Sequence, residues 1–340
     1  MTKSHSAVCW GLNVAGQLGD GDTTNALTPT PVSGAHAFDS VTVGFEHSCA
    51  LTIGGYAYCW GTNYNGELGD GTTTNSRTPV LVSGHLAFAS VSAGIYHTCG
   101  LTTDGVAYCW GNNHNGELGN EAHDVYDNPN PVLVSGGLTF AMLSTGHEYT
   151  CGLTPAGAAY CWGRNERGVL GNGSGAQSDV PTPVSGGLTF KSLSVGTLHT
   201  CALTASGAAY CWGQGDEGEL GTGNTASSSI PVPVTGGIGF ATISAGQWAT
   251  CGVATTGVAY CWGTDNYGQL GRGTTTFNVD PHPTPQPVVG GHTFTSVSVG
   301  YLHACGLTTT GALYCWGLPT GTNSSEHTGQ SSIPVLVTGQ

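Results

Sequence analysis

The sequence predicts an all-β protein, a seven-bladed β-propeller of four-stranded antiparallel blades, with six complete blades and a half blade of third and fourth strands at the N-terminus. Three observations predict it. A Cys-Trp-Gly tripeptide recurs seven times, with its tryptophans at Trp10, Trp60, Trp110, Trp162, Trp212, Trp262 and Trp316, in steps of 50, 50, 52, 50, 50 and 54 residues. Each full step holds four short runs of alternating apolar and polar residues bounded by turn residues. Cysteines recur in pairs ten residues apart around a glycine turn. Repeats of this length, with four strands each, are the signature of propeller blades.

One repeat shows the elements in order. Residues 88–94 form the first strand, 97–102 the second and 107–110 the third; Gly111-Asn-Asn-His-Asn-Gly-Glu-Leu-Gly119 is a loop, 131–134 the fourth strand, and Ser135-Gly-Gly137 leads onward. Proline in the fourth strand (Pro79, Pro131, Pro183, Pro334) suits an outer edge, where no partner needs the missing N–H. A single propeller domain over 1–340 then has blades at 6–34 (half), 38–84, 88–136, 140–186, 190–236, 240–290 and 294–339. The chain opens at a third strand, 6–10, and stops after a fourth, 333–337. The missing first and second strands are expected to lie beyond Gln340, in roughly twenty residues by comparison with 88–105, and to bring a partner for Cys9. A shortened chain is the expected reason, with strand addition by a second chain as the alternative.

The second and third strands are joined by Thr103-Asp104-Gly105, a three-residue loop of type I turn plus left-handed glycine. With Thr102 opposite Val106, Cys99 falls opposite Cys109, roughly 4.5–5.5 Å apart at Cα, within disulfide range. The expected disulfides are Cys49–Cys59, Cys99–Cys109, Cys151–Cys161, Cys201–Cys211, Cys251–Cys261 and Cys305–Cys315, leaving Cys9 unpaired. Pro155 opens the third turn, where its fixed φ belongs.

Composition narrows the function. Of 340 residues, 57 are Gly and 16 Pro, and 20 acidic against 6 basic side chains give a net charge of −14. Six scattered cations (Lys3, Arg77, Arg164, Arg167, Lys191, Arg272) cannot make the positive face that nucleic acid or an anionic membrane requires. No apolar run reaches transmembrane length. Thirteen cysteines at hairpin positions imply an oxidising compartment, extracellular, cell-surface or periplasmic. Met1-Thr-Lys-Ser-His-Ser is not a signal peptide, so the expectation is a mature exported domain whose leader has been removed and a methionine supplied.

The residues Gly94, His97, Trp110, Asn113, Gly116, Leu118 and Gly119, in the pattern G-x-x-H-[ST]-x-x-L-T followed by W-G-x-N-x-x-G-[EQ]-L-G-[DN]-G, resemble the regulator-of-chromosome-condensation repeat. That resemblance covers nearly the whole chain and implies a seven-bladed propeller; the cysteines make it similar to bacterial exported members. It leaves function open, because this scaffold serves many functions.

In such blades the 1–2 and 3–4 loops share one face, and the 2–3 and 4–1 loops the other. The second face is monotonous. The first varies, and its 1–2 loops read Phe45-Glu46, Ile95-Tyr96, His147-Glu148, Thr197-Leu198, Gln247-Trp248 and Tyr301-Leu302. Length changes fall in the 3–4 loops, at 121–130, 274–285 and 318–332. Variable loops on a rigid scaffold are where binding residues gather, and exposed aromatics among Glu and Gln have the composition of a protein-binding surface. The candidate contacts are Phe45, Glu46, Ile95, Tyr96, His147, Glu148, Tyr149, Leu198, Gln247, Trp248, Tyr301 and Leu302, with Trp248 foremost as the tryptophan outside the repeat position.

Other chemistries fit less well. His47, His97, His199 and His303 each precede a cysteine by two residues, but a His-Cys-Cys set is one ligand short of a zinc site, and Tyr149 and Ala249 interrupt the series; a structural histidine beside a disulfide is expected. The repeat tryptophans are expected to pack blade against blade. One further tryptophan is too few for light sensing of the plant ultraviolet-B photoreceptor kind. Residues 63–70 lack the spacing of a calcium loop. No nucleophile elbow is present. The reading is therefore a non-enzymatic, cofactor-free exported module that binds a protein partner through its variable face, similar in architecture to propeller-type β-lactamase inhibitor proteins. The alternative is a structural subunit of an extracellular assembly binding copies of itself through the half blade and Cys9. Nucleotide exchange, as in chromosome-associated members, is disfavoured by the cysteines and the lack of basic surface.

Overall fold

The computed structural model describes residues 5–122, 127–275, 281–318 and 330–338. Among these there is no α-helix, and every sheet is antiparallel. The chain divides into two compact units, residues 5–165 with 176–183, and 166–175 with 184–338.

The first unit opens with β1 (Val8–Gly11) and β2 (Ala26–Pro31), which form a two-stranded sheet. Three four-stranded blades follow: β3 (Phe38–Val43), β4 (His47–Thr52), β5 (Ala57–Gly61) and β6 (Ser76–Leu81); β7 (Phe88–Ala93), β8 (His97–Thr102), β9 (Ala107–Gly111) and β10 (Asn128–Leu133); β11 (Met142–Thr145), β12 (Tyr149–Leu153), β13 (Ala159–Gly163) and β14 (Ser178–Pro183). The second unit holds three more: β15 (Ser192–Val195), β16 (His199–Leu203), β17 (Ala209–Gly213) and β18 (Ser228–Pro233); β19 (Phe240–Ala245), β20 (Ala249–Ala254), β21 (Ala259–Gly263) and β22 (His282–Pro287); β23 (Phe294–Val299), β24 (His303–Thr308), β25 (Leu313–Gly317) and β26 (Ser331–Leu336). The described residues thus make six four-stranded blades. The expected count of seven is not reached, because β1 pairs with β2 alone.

The central hairpin of each blade follows its sequence. Gly105 N donates to Thr102 O at 3.0 Å and Thr102 N to Val106 O at 2.9 Å, closing the turn with Gly105 at φ 83°, a conformation that costs a residue with a Cβ. The register sets Cys99 opposite Cys109, His97 opposite Gly111 and Thr98 opposite Trp110. All six cysteine pairs are joined, with Cα atoms 4.0–4.1 Å apart. That spacing is tighter than the sequence suggested and is that of a narrow, non-hydrogen-bonded antiparallel pair.

Fourth strands start earlier than expected. β10 begins at Asn128, not at 131, and its pairing with β9 shifts between Asn128 and Val132. Pro129 and Pro131 donate no N–H, so the ladder skips across them as a bulge on the outer edge.

Within each unit the core lies in the seams between consecutive blades. In the first unit Cys49, Leu51, Cys59 and Leu68 of one blade pack beneath Phe88 and Trp110 of the next. In the second, Cys201, Leu203, Cys211 and Leu220 pack beneath Phe240 and Trp262. Trp60, Trp110, Trp162, Trp212, Trp262 and Trp316 are all buried, whereas Trp10 is only half-buried.

Candidate functional site

Three seams carry a complete hydrogen-bonded relay. Trp110 Nε1 donates to Glu67 O at 2.8 Å, and Thr98 Oγ1 donates to the same carbonyl at 2.9 Å. With its one proton committed, Thr98 Oγ1 accepts from His47 Nε2, 2.9 Å away, which fixes the tautomer of that ring. The relay recurs as His97, Thr150, Trp162 and the Glu117 carbonyl, at 2.8–3.0 Å. In the second unit it is His199, Thr250, Trp262 and the Glu219 carbonyl, at 2.7–2.9 Å. Burial pushes His47 and His199 down to about 4 and His97 to about 3, so these rings are neutral. The cysteine sulfurs beside them are in disulfides, and no group of three or more His, Cys, Asp or Glu is placed to hold a metal among the described residues.

The relay sits under the variable loops. A Cβ on Gly44 would meet Gly94 O and one on Gly94 would lie 2.6 Å from Gly146 O, so glycine is required where these loops abut. Ile95 N donates to Gly146 O at 3.1 Å. In the second unit Gly246 approaches Gly300 O in the same way, and Thr197 N donates to Gly246 O at 3.0 Å. The residues following these glycines therefore form one continuous ridge in each unit.

On the first ridge Phe45 is 51% and Tyr96 38% exposed, Glu46, Ile95, His147 and Glu148 are half-buried, and the Tyr96 ring lies tilted at 48° to His147 with centroids 5.6 Å apart. Glu148 pairs with Arg164 at 2.6 Å. Thr62 N donates to Glu46 O at 2.8 Å, which brings the 3–4 loop alongside and adds Tyr64, 70% exposed. On the second ridge Leu198, Gln247 and Trp248 are half-buried, Tyr301 is 46% exposed, and Trp248 lies 5.4 Å from Tyr301. Two expected contacts need correction. Tyr149 is 1% exposed because it opens β12, where three other blades bury their histidine, and Leu302 is 8% exposed. Of the unusual 3–4 segments, 123–126, 276–280 and 319–329 lie outside the described residues. Cys9 is half-buried in β1 opposite Thr30 and in no disulfide; burial raises its thiol to about 11.

Models of the regulator of chromosome condensation (RCC1) repeat match residues 8–51, 54–101, 104–153, 156–203, 206–253 and 256–307, nearly the whole chain. The chain belongs to the RCC1-repeat family. A second model of the same repeat matches 38–67, 88–117, 190–219, 240–269 and 294–321. No curated protein matches the sequence. Among solved structures, human WBSCR16 is 18% identical with a TM-score of 0.87, over 98% of this chain and 94% of that one. Prp20p from Saccharomyces cerevisiae, in a structure titled for its binding to Gsp1p and histones, is 20% identical with a TM-score of 0.85, over 100% and 87%. Yeast RCC1 (Prp20) bound to Kap60 is 20% identical with a TM-score of 0.84, over 99% and 86%. At these identities the likeness establishes the propeller fold alone.

The RCC1-type motif explains what sequence reasoning missed. The Ser or Thr at the position after the repeat histidine recurs as Ser48, Thr98, Thr150, Thr200 and Thr250, with Ala304 the exception. That recurring hydroxyl was a signal of the relay, whereas the loop residue enters it through its backbone carbonyl, as Val169 O does for Trp212 Nε1 at 2.8 Å. Asn63 likewise serves its own loop: its Oδ1 accepts from Leu68 N at 2.9 Å and its Nδ2 donates to Thr72 O at 3.0 Å.

Proposed function

We propose that this chain is a non-enzymatic, extracellular protein-binding module that holds a folded protein partner against its loop ridges. One observation carries the reading: in each unit abutting glycines fix a continuous backbone ridge, while its side chains change from blade to blade and keep Phe45, Tyr64 and Tyr96 exposed in the first unit and Tyr301 in the second. Aromatic side chains on a rigid backbone lose little entropy on binding and dominate interface hot spots. Six disulfides favour an oxidising compartment. The solved yeast relative has a protein partner, Kap60, which adds support by analogy. The test is to recover partners by cross-linking at the cell surface and titrate them against Phe45→Ala, Tyr96→Ala and Trp248→Ala. Binding weakened at least tenfold with unchanged melting supports the proposal; undiminished binding by all three overturns it.

A second reading, self-assembly through a seventh blade begun by β1 and β2, has its own support. Among the described residues β1 pairs along one edge, with β2, and Cys9 is in no disulfide. A Cys9-dependent covalent dimer on a non-reducing gel is its expected mark, and a monomer in solution rejects it.

A further inference from the structure

The glycine-following position of the 3–4 loop is occupied by Gln17, Glu67, Glu117, Glu219 and Gln269 in five repeats, and all five side chains make one and the same hydrogen bond. The backbone N two residues earlier donates to a side-chain oxygen: Ala15 to Gln17 at 2.9 Å, Asn65 to Glu67 at 2.9 Å, Asn115 to Glu117 at 2.8 Å, Glu217 to Glu219 at 2.9 Å and Tyr267 to Gln269 at 2.8 Å. A neutral amide and a carboxyl thus play one role, which a carboxylic acid fills as well as a carboxylate.

The three glutamates differ in what meets the other oxygen. Glu67 Oε1 accepts from Asn65 Nδ2 at 2.7 Å, and Glu219 Oε1 from Gln214 Nε2 at 3.4 Å. Glu117 is fully buried, and its Oε1 has no partner among the described residues, as is true of Gln269 Nε2 at the equivalent place. The charged groups facing Glu117 are Glu148 and Asp127, both of which oppose its ionisation, and Arg164 is already paired with Glu148. His97 and His147 nearby are both held toward the neutral form by burial.

We infer that Glu117 is a pH switch in the seam between β7–β10 and β11–β14, locked as a neutral acid at low pH and prised out of the seam when it ionises. The Glu117 carbonyl holds Trp162 Nε1 and Thr150 Oγ1, so displacement of this loop breaks the relay beneath Tyr96 and His147. Burial raises the group from an ordinary 4.5 to about 7, which puts the transition in the neutral range. Because the folded value is raised, its contribution to stability is complete below about 4.5 and is lost as pH rises toward 7.

The experiment compares the wild type with Glu117→Gln, a residue the fold already uses at 17 and 269, in urea unfolding with disulfides intact at several pH values. The expected result is that the folding equilibrium constant of the wild type, relative to the variant, falls about tenfold per pH unit between 5 and 7 and levels off above. A direct readout runs alongside: the infrared band of a protonated buried carboxyl, present at pH 5.5, diminished in the variant and titrating near 7, together with a shift of the Trp162 indole N–H signal over the same range. Parallel pH profiles for the two proteins overturn the inference, as does a carboxyl band unaffected by the substitution. Glu67→Gln, where a second amide donor supports the charge, is expected to change the profile less.

Discussion

The seams and the ridges lie one above the other on the same backbone, yet the repeats treat them in opposite ways. In the seams Trp110, Trp162 and Trp262 stand in equivalent surroundings, each donating to a loop carbonyl at 2.7–2.9 Å and fully buried. On the ridges the equivalent positions run Phe45, Ile95, His147, Thr197, Gln247 and Tyr301 over glycines that stay fixed. A side chain enclosed by two blades must meet the same hydrogen bonds and volume in each repeat. One that stands above the abutting glycines meets solvent and is free to change. Stability therefore resides in the seams, and the binding role proposed above falls to the ridges.

The largest effect expected from breaking that separation is at a seam tryptophan. Trp110→Ala removes a buried indole packed against Phe88, 5.8 Å away, and leaves the Glu67 carbonyl short of a donor. A loss of about 3–5 kcal/mol in urea unfolding is expected. A loss below about 1 kcal/mol would show that the seam relaxes around the hole and is not the seat of stability.

Acid probes the same seams through their histidines. His47, His97 and His199 are lowered from 6.5 to between about 3 and about 4, so the unfolded chain binds their protons first and stability falls as pH drops from 6.5 toward 4. Glu117 and Glu219, raised to about 7, act in the opposite direction between 7 and 4.5. Each of these groups contributes about 1.4 kcal/mol per pH unit within its own window; His303 and His147, also lowered by burial, add to the histidine side, and Glu67 and Asp265, raised by burial, add to the carboxyl side. Stability that rises steadily from pH 6.5 to 4 would mean the rings are not buried neutral.

Disulfides staple each seam from within one blade. Replacing Cys99 and Cys109 together by alanine should cost about 2–3 kcal/mol by the loop-entropy account, with the other five bonds intact. Unfolded, non-reduced protein should then still show the Cys9 thiol and no other.

This division also explains what was legible in the sequence. The hairpin register could be read because Cys99, Gly105 and Cys109 each impose a geometry that few alternatives satisfy. The early start of β10 could not be read from a propensity pattern, since Pro129 and Pro131 look like strand breakers until a bulge accommodates them. Tyr149 was misplaced for a related reason. Adjacent to a variable loop, it reads as exposed, and only the pairing of β12 with Gly163 turns it into the seam.

The smallest effect sharpens the comparison most. Tyr96→Ala truncates a residue that is 38% exposed and whose described ring contact is with His147 across the ridge, 5.6 Å away. Its backbone carbonyl still accepts from Asn112 N at 2.9 Å, so the loop keeps its anchor without the side chain. A change in unfolding free energy within about 0.5 kcal/mol is expected, against several for Trp110 in the seam below. Should Tyr96→Ala destabilise as much as Trp110→Ala, the ridge would be part of the structural core, and its variation from blade to blade would need a packing explanation in place of a binding one.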